Sequence, residues 1–439
     1  MLPHPLDLPM SSFPVSSRAR RASPLLAALL LAASAPAAFA AEAIHHIVTY
    51  GQSIAVGTLS LPSLTSEQRH NSLMFVSGVT PQWGSGTAAQ NRASLLPLVE
   101  RDFWRSGETP VSGTLEMIND LRLAEDGVTA EESGIAYLGS APGFGGQTIR
   151  ALSFGSTYFE QLIWDVYYGN ANARAQGKTY RVGALTWSQG ESDEYWRKDP
   201  AQYIQDMESL RRQVEWVSSV VTGRQDKIPM ISYQVSSHLG VGSNVPTIAM
   251  AQLKASQVNP NIHLATPTYF MDYVDEFHLS NASSKWLGAY YGLVYKRVVL
   301  DGQPWKPLQP LTAWASGRQL AIRFNVPRPP MVLDHQQVVD PGQSGFSLIE
   351  GDGNENRISG LAIAKSGDVL WIAAERPILA GTRLRYGWNG TARGGRLTGP
   401  RGNLRDSQGD AILFDPDGIA KPMHNWCVLF EIPVAMAGS

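Results

Sequence analysis

The chain has 439 residues, of which 43% are apolar and 17% charged, and its formal net charge is -2. This is the composition of an ordinary globular protein that is long enough for two or three domains. Its Lys and Arg residues are scattered, which excludes a basic stripe for nucleic acid and a polybasic patch for a membrane surface. Cys427 is the only cysteine, so we expect neither an internal disulfide nor a metal site of the multi-cysteine type.

The first forty residues have the pattern of a secretory signal. Three arginines between residues 18 and 21 precede an apolar stretch over 24–33, and Ala38-Phe39-Ala40 supplies small residues for cleavage. The apolar stretch is shorter than the roughly 20 residues that a membrane-spanning helix needs. We therefore predict a signal peptide over 1–40, cut near Ala40, and a secreted or periplasmic protein without stable membrane insertion.

Strand-like and helix-like segments alternate between residues 44 and 300. Helical spacing of apolar residues predicts a helix over 201–221, and Ser280 or Asn281 provides the N-cap of another helix directly after His278. This alternation is typical of an α/β sheet with helices on its faces. The clearest strand predictions fall at 44–50, 180–187, 228–233 and 262–266.

The remainder of the chain has a different pattern. Residues 303–310 are rich in proline and indicate a linker. Short apolar runs beyond it alternate with Gly, Asn, Asp and Pro turns, which predicts an all-β domain. We therefore divide the chain into an α/β domain over 41–304 and a smaller β-rich, β-sandwich-like domain over 305–439. The runs that predict its strands are 319–324, 360–364, 369–373 and 383–387.

Ser53 is a candidate nucleophile because it follows a predicted strand in Tyr50-Gly51-Gln52-Ser53. Ligands of open α/β sheets bind at the carboxyl ends of the strands, where this hydroxyl would lie. A serine oxygen is a poor nucleophile until a neighbouring base takes its proton, so this interpretation requires a histidine elsewhere. Taken alone, the segment fits an ordinary turn serine at least as well.

A candidate base lies in Asp275-Glu276-Phe277-His278, just before the last predicted helix. An acid three residues before a histidine can accept the inner imidazole N–H and stabilise the cation, which leaves the other ring nitrogen for Ser53. The alternative is a solvated loop or helix cap in which Asp275 accepts backbone N–H groups.

Two further polar segments follow predicted strands or turns. In the segment 187–193, Gln189 can donate an amide hydrogen to an oxyanion, while Glu191 and Asp193 also suit a glycosidase pair, a cation site or simple bracing of the loop. The glycine-rich segment 142–148 lets the backbone approach a ligand and offer a second N–H donor. It lacks the ending of a phosphate loop, which disfavours nucleotide binding.

Taken together and in this order, the four segments resemble the four blocks of the SGNH hydrolase superfamily. They are most similar to its sialate O-acetylesterase and acetylxylan esterase branch, whose first block reads Gly-Gln-Ser and whose third reads Gln-Gly-Glu. The resemblance covers roughly residues 44–300, and the β-rich tail lies outside it. It implies a three-layer α/β/α sandwich with a mostly parallel sheet.

The resemblance also implies a role for each matching residue. Ser53 would attack an ester carbonyl, His278 would act as base and then acid, and Asp275 would orient the histidine. Backbone N–H groups of Ser53 and Gly146, with the Gln189 amide, would form the oxyanion hole. Gly145 is nearly as good a candidate as Gly146, because only the following Gln147-Thr148 favours the second glycine. The chain departs from the branch at Ile54-Ala55, where asparagine and methionine are usual.

The predicted function is therefore an exported serine esterase that removes O-acetyl groups from a carbohydrate, sialic acid or a polysaccharide, with no cofactor and no metal. Gln52, Glu191, Tyr195 and Trp196 are the predicted substrate contacts. The expected partner is an acetylated glycan rather than nucleic acid, and the oligomeric state stays open.

Three other interpretations compete with this one. A short-chain lipid or acyl esterase would keep the same triad with an apolar pocket. A glycosidase would use Glu191 with a second carboxylate, and a non-catalytic carbohydrate-binding protein would bind through the β-rich tail. Metal binding by His45, His46 and His238 is less favoured, because His45 and His46 alternate faces on one strand.

Overall fold

A computed structural model describes residues 43–437 of the chain. The predicted signal peptide over 1–40 lies outside these residues. The described part belongs to one compact unit, Ala40–Ser439. Among residues 43–437, no helix combines the length and apolarity that a bilayer crossing requires.

The amino-terminal portion is built on a seven-stranded sheet. Its strands are β1 (Ala43–Gly51), β2 (Leu73–Phe75), β3 (Leu95–Pro97), β4 (Ile135–Ser140), β5 (Thr179–Ser188), β6 (Met230–Gln234) and β7 (Ile262–Pro267). The strand order is β3-β2-β4-β1-β5-β6-β7. Every neighbouring pair is parallel except β2 and β3. The predicted α/β class with a mostly parallel sheet is therefore confirmed.

Helices cover both faces of this sheet. They are α1 (Ala88–Asn91), α2 (Pro110–Leu121), α3 (Thr157–Ala175), α4 (Glu191–Tyr195), α5 (Pro200–Thr222), α6 (Thr247–Val258) and α7 (Asn281–Tyr295). Ile44 and Val48 of β1 pack in a core with apolar residues of α3 and α5, whereas Ile47 packs in a second core with α2 and α7. The alternation of side chains along a strand thus divides the core into two layers.

The ends of the predicted helices have ordinary capping chemistry. α5 begins after Asp199, whose carboxylate accepts the N–H of Gln202, and it ends at Gly223, whose φ is 74°. α7 begins after Ser280, whose hydroxyl accepts the N–H of Ser283. α2 was not predicted, although Thr109 as cap and Pro110 at the first helical position are a helix-start signal.

The paired histidines of β1 point to opposite faces of the sheet. His45 Nδ1 lies 3.2 Å from the Tyr295 hydroxyl, whereas His46 contacts Tyr180 and Ser140 at 2.7 and 2.8 Å. Burial lowers the pKa of His46 to about 3, so this ring is neutral. Both histidines are therefore packing residues with hydrogen-bond partners.

The carboxyl-terminal portion is β-rich, as predicted. Its main strands are β8 (Gln309–Ser316), β9 (Gln319–Asn325), β10 (Val332–Leu333), β11 (Phe346–Ile349), β12 (Glu355–Asn356), β13 (Ile358–Ile363), β14 (Val369–Ala374), β15 (Arg383–Tyr386), β16 (Leu404–Arg405), β17 (Leu413–Phe414), β18 (Lys421–Pro422), β19 (Phe430–Pro433) and β20 (Ala435–Met436). The two larger sheets have the orders β12-β11-β15-β19 and β13-β14-β9-β8-β20.

The β-rich portion packs directly on the α/β portion. The Gln234 side chain, at the end of β6, pairs with both backbone groups of Leu429, at 2.9 and 2.7 Å. The rings of Phe270 and Trp426 stack with centroids 5.2 Å apart. One apolar core accordingly runs through both portions. The division at residues 304 and 305 stays a prediction, and the first strand of the β-rich portion begins at Gln309, inside the predicted linker.

Candidate active site

Three loops meet at the carboxyl ends of β1, β4 and β5. The N–H of Gln52 donates to Ser188 O at 2.9 Å, and the N–H of Phe144 donates to Gly51 O at 3.0 Å. A Cβ added to Gly51 would lie 2.1 Å from Ser188 O, and one added to Gly143 would lie 2.5 Å from Gly51 O. Only glycines permit this approach, so they bring three of the predicted segments together.

The loops surround a cavity of about 940 Å³. Ser53 and His278 both line it, although they are 225 positions apart in the sequence (278 minus 53). All four predicted substrate contacts also line this cavity, as do both candidate oxyanion glycines: Gln52, Glu191, Tyr195, Trp196, Gly145 and Gly146. Asp275 and Gln189 are not among the lining residues.

Asp275 and His278 form the predicted acid–histidine pair. Asp275 Oδ2 lies 2.8 Å from His278 Nδ1, and its Oδ1 accepts the N–H groups of Phe277 and His278 at 2.8 and 2.7 Å. Partial burial of Asp275 opposes ionisation, but these hydrogen bonds outweigh it and lower its pKa to about 2. The resulting carboxylate keeps a proton on Nδ1, which leaves Nε2 as the basic nitrogen.

Ser53 lies in the first turn after β1, and its carbonyl accepts the N–H of Thr58 at 3.0 Å. The residue is 8% exposed. Over residues 43–437, no hydrogen bond joins its hydroxyl to His278. Such bonds are often long in a site without substrate and tighten in the reactive complex. The structure thus brings the candidate nucleophile and the candidate base to one cavity, and the described residues show no formed hydrogen bond between them.

Backbone N–H groups beside Ser53 are available as donors. Within the described chain, those of Ser53, Gly145 and Gly146 have no hydrogen-bond partner. Gly145 lies against the serine, since a Cβ added to it would be 3.7 Å from Ser53 Cβ. Gly146 has a φ of 72° and open space around it. Unpaired N–H groups next to a nucleophile are what an oxyanion hole requires.

Gln189 does not fit the oxyanion role predicted for it. Its Nε2 donates to Gln147 O at 3.2 Å and to Asp193 Oδ2, so both amide hydrogens are used. Its Oε1 accepts the Tyr203 hydroxyl at 2.9 Å, and the side chain is fully buried. Gln189 braces its own loop in this conformation and has no hydrogen left for an oxyanion.

Gln52 presents the free amide that Gln189 lacks. Its Oε1 accepts the N–H of Ser192 at 3.2 Å and that of Gly190 at 3.5 Å. Its Nε2 has no partner among residues 43–437, and the residue lines the cavity. The sequence pattern predicts only a substrate contact for Gln52. The sequence feature that indicates a closer role for Gln52 is its position directly before Ser53.

The two acids of the third segment have different surroundings. Both oxygens of Glu191 lie within hydrogen-bond distance of the Tyr233 hydroxyl, at 2.6 and 2.7 Å, and burial raises its pKa. Asp193 accepts the N–H of Ile149 at 2.7 Å and braces the loop. Among the described residues that line the cavity, Glu191 is the only acid. A glycosidase needs two carboxylates across the substrate, so this arrangement disfavours one.

Aromatic rings form much of the cavity rim. Trp104 and Trp196 are 87% and 69% exposed, which is unusual for tryptophan. Trp83 stacks on Phe103 with centroids 5.5 Å apart, and Tyr195 meets Trp196 edge to face at 5.1 Å. Phe103 and Trp104, which lie between β3 and α2, are not predicted from the sequence. Together with Phe144 and Phe277, these rings give the cavity apolar surfaces for a sugar or an acyl chain.

The stability contributed by Asp275 should depend on pH in a defined direction. Its pKa of about 2 lies below the roughly 3.9 of an unfolded aspartate. The stabilisation is therefore full above about pH 4 and is lost as the pH falls towards 2. We expect the difference in free energy of unfolding between the unaltered chain and Asp275→Asn to narrow over that window, as measured by urea unfolding.

The control for this measurement is Asp410→Asn, because that side chain is 68% exposed. At pH 6 this variant should unfold at nearly the same urea concentration as the unaltered chain. If the difference in free energy of unfolding between the unaltered chain and Asp275→Asn stays constant from pH 6 to pH 2.5, the lowered pKa of Asp275 is contradicted.

The family comparison matches the middle of the α/β portion. Residues 141–297 match the model described as carbohydrate esterase, sialic acid-specific acetylesterase. This segment of the chain is therefore similar to the sialate O-acetylesterase-like family of SGNH hydrolases. The predicted recognition is confirmed, and the esterase is a hydrolase of carboxylic esters. The matched segment contains Gly146, Asp275 and His278 and begins after Ser53.

Three solved structures are similar to this chain at low sequence identity, and only the first of them, with a TM-score above 0.5, shows a shared fold. A carbohydrate acetylesterase from Xanthomonas citri is 15% identical, with 89% of this chain and 80% of that chain covered and a TM-score of 0.54. A protein from Arabidopsis thaliana is 16% identical over 58% of this chain and 98% of its own, with a TM-score of 0.39. NanS is 13% identical over 60% and 97%, with a TM-score of 0.39. No curated protein matches the sequence.

Proposed function

We propose that this esterase removes O-acetyl groups from a glycan by a serine mechanism, with Ser53, His278 and Asp275 as its triad. The observation that carries the proposal is the cavity that Ser53 and His278 share, with unpaired N–H groups beside the serine. The partly buried Asp275–His278 pair supplies the oriented base that a serine nucleophile needs.

The reaction follows from these groups. His278 Nε2 takes the Ser53 hydroxyl proton as Oγ bonds to the acetyl carbon, and the carbonyl oxygen becomes an oxyanion. The imidazolium then gives that proton to the sugar oxygen, which leaves as an alcohol. A water molecule attacks the acetyl-serine by the same route in reverse and releases acetate and the free serine. Asp275 stabilises the imidazolium in both halves of the reaction.

We propose three donors for the oxyanion: the N–H of Ser53, the N–H of Gly145 or Gly146, and Gln52 Nε2. The N–H groups of Ser53, Gly145 and Gly146 are backbone donors beside the nucleophile, and none has a partner among the described residues. We assign this role to Gln52 and not to Gln189. The Oε1 of Gln52 accepts the Ser192 N–H, and the Nε2 of Gln52 has no partner among the described residues. An anchored amide with one free end is already oriented and needs no rearrangement during the reaction.

The change Gln52→Glu tests the amide without altering its size. The carboxylate keeps an oxygen for the Ser192 N–H but places another oxygen where the free amide was. We expect kcat for acetate release to fall about 100-fold, in the range measured when one oxyanion donor is removed. Steady-state kinetics on an acetylated sugar measures this.

The control for Gln52→Glu is Gln319→Glu, an exposed glutamine on β9, which should keep the unaltered kcat. If Gln52→Glu raised KM and left kcat unchanged, the amide would contact the substrate in the ground state, as predicted from the sequence. That result would contradict the oxyanion role of Gln52.

An acetate-release screen tests the function itself. Acetylated sialic acid, acetylated xylan and acetylated pectin should be compared with 4-nitrophenyl esters of increasing acyl length. A glycan esterase prefers one of the sugars, whereas the alternative acyl esterase prefers a longer acyl ester. A fluorophosphonate that labels Ser53 distinguishes both from a non-catalytic binding protein.

We also propose that the esterase is exported, on the signal pattern of residues 1–40. The mature protein should begin near Ala41. Mass spectrometry of the amino terminus, on protein recovered outside the cytoplasm, tests this. An intact amino terminus in a cytoplasmic fraction would overturn the proposal.

A further inference from the structure

A second cavity, of about 650 Å³, lies between the two portions of the chain. Leu239 and Asn244 of the loop after β6 line it from the α/β portion, and Trp388 and Arg401 line it from the β-rich portion. Gly240 and Val241 of the same loop line the first cavity. One short loop therefore separates the two cavities.

Arg401 is a buried cation that forms no ion pair with a carboxylate of the described residues. The residue is 6% exposed, and its Nε and Nη1 donate to the carbonyls of Val339 and Gly399 at 2.6 and 2.7 Å. Over residues 43–437, its Nη2 has no hydrogen-bond partner and no ion pair involves it. Burial lowers its pKa, and the more distant Asp340 acts in the opposite direction. A buried guanidinium with free hydrogens is costly unless a ligand or water accepts them.

Trp388 adds a second unpaired donor. It is 8% exposed, and its Nε1 is buried without a partner among the described residues. The Arg385 guanidinium covers its ring at 4.3 Å. Unpaired polar groups are rare in protein interiors, so two unpaired donors on residues that line one cavity are unusual.

Acceptors and small polar side chains complete the lining. Asp340 lines the cavity, and its Oδ1 is fixed by the N–H groups of Gly342 and Ser344 at 2.9 and 3.0 Å. Asn244 and Thr398 are exposed, and in the described chain their side chains make no hydrogen bonds. The cavity thus offers donors and acceptors together, with Arg401 and Asp340 of opposite charge.

We infer that this second cavity binds a sugar ring of a glycan through its hydroxyl groups. A hydroxyl both donates and accepts, so neighbouring hydroxyls match the Arg401 donor and the Asp340 acceptor. The opposite charges favour a neutral ring. The inference extends the proposed function, since a glycan that reaches both cavities would bind through a second sugar away from its acetyl group.

Binding of acetyl-free oligosaccharides tests the inference on the intact chain. Xylohexaose is the neutral probe and tetragalacturonate the acidic one, and isothermal titration calorimetry measures both. Arg401 also supports local backbone, so the blocking variant is Asn244→Trp, which fills the cavity from an exposed position. We expect it to weaken xylohexaose binding at least tenfold. Asn354→Trp, exposed and outside both cavities, should bind like the unaltered chain.

The outcomes separate this site from the esterase activity, because no ester is cleaved in the measurement. Weakened binding supports the site even if the acetate screen fails. If tetragalacturonate binds more tightly than xylohexaose and Asn244→Trp abolishes this binding, the sugar site is supported. That result would also show that a sugar carboxylate binds Arg401. If neither probe binds, or if Asn244→Trp binds both like the unaltered chain, the inference is overturned.

Discussion

Replacing Ser53 with alanine is expected to lower kcat for acetate release on the order of 10⁴-fold or more. The variant retains the cavity, the Asp275–His278 pair and the backbone donors, but it has no oxygen to form the acetyl intermediate. Serine hydrolases that lose one member of the triad keep only the small rate enhancement of binding and oxyanion stabilisation. Acetate release from the substrate found in the screen measures the loss.

Ser66→Ala is the matched control, because Ser66 is exposed and lies outside the first cavity. It should release acetate at the unaltered rate. Substrate affinity in Ser53→Ala should persist, since the aromatic rim is unchanged. A glycosidase that used Glu191 would tolerate the loss of Ser53, so unchanged activity on a glycan would overturn the serine mechanism.

Gly51→Ala should have the largest effect on the architecture of the site. The added Cβ would lie 2.1 Å from Ser188 O and 2.6 Å from Ser188 C, and the φ of 147° is unfavourable for alanine. Both neighbours are backbone atoms of the adjoining strand, so β1 and β5 must move apart. We expect a loss of about 3 kcal/mol or more in the free energy of unfolding.

The same change should also lower activity, because Ser53 lies two residues beyond Gly51. A displacement of about 1 Å at a nucleophile can cost about 100-fold in rate. Urea unfolding and acetate release measure the two effects. Gly360→Ala is the control, since its Cβ would meet only Ala373 Cβ at an ordinary 3.9 Å. Equal stability of the two variants would show that β1 and β5 separate more easily than their contacts indicate.

Many elements of the fold followed from local pattern. The strands at 44–50, 180–187 and 262–266 and the helix at 201–221 agree with the structure within one or two residues at each end. Each has a clear hydrophobic period or cap, and those signals are local. α2 was missed although Val111, Leu115 and Ile118 recur at helical spacing, with polar residues between them.

The residues of the candidate site divide in a similar way. Ser53, Asp275 and His278 were found because each lies in a short segment next to the end of a predicted element. Phe103 and Trp104 were missed because the exposure of an aromatic ring depends on which loop faces it. Trp187 and Trp286 are buried in the core, and only the fold distinguishes them from the exposed Trp104.

For this protein, the sequence alone determined the class of the sheet, the order of the four segments and the identity of the nucleophile, base and acid candidates. These depend on residue type and on short-range spacing. Only the tertiary structure decided that both amide hydrogens of Gln189 are used while the Gln52 amide is free, and that the β-rich portion shares the core. It also decided that Arg401 lines a second cavity without an ion pair among the described residues. Such outcomes depend on which distant groups compete for each hydrogen bond, and residues such as Gln234 and Leu429 meet only when the chain is folded.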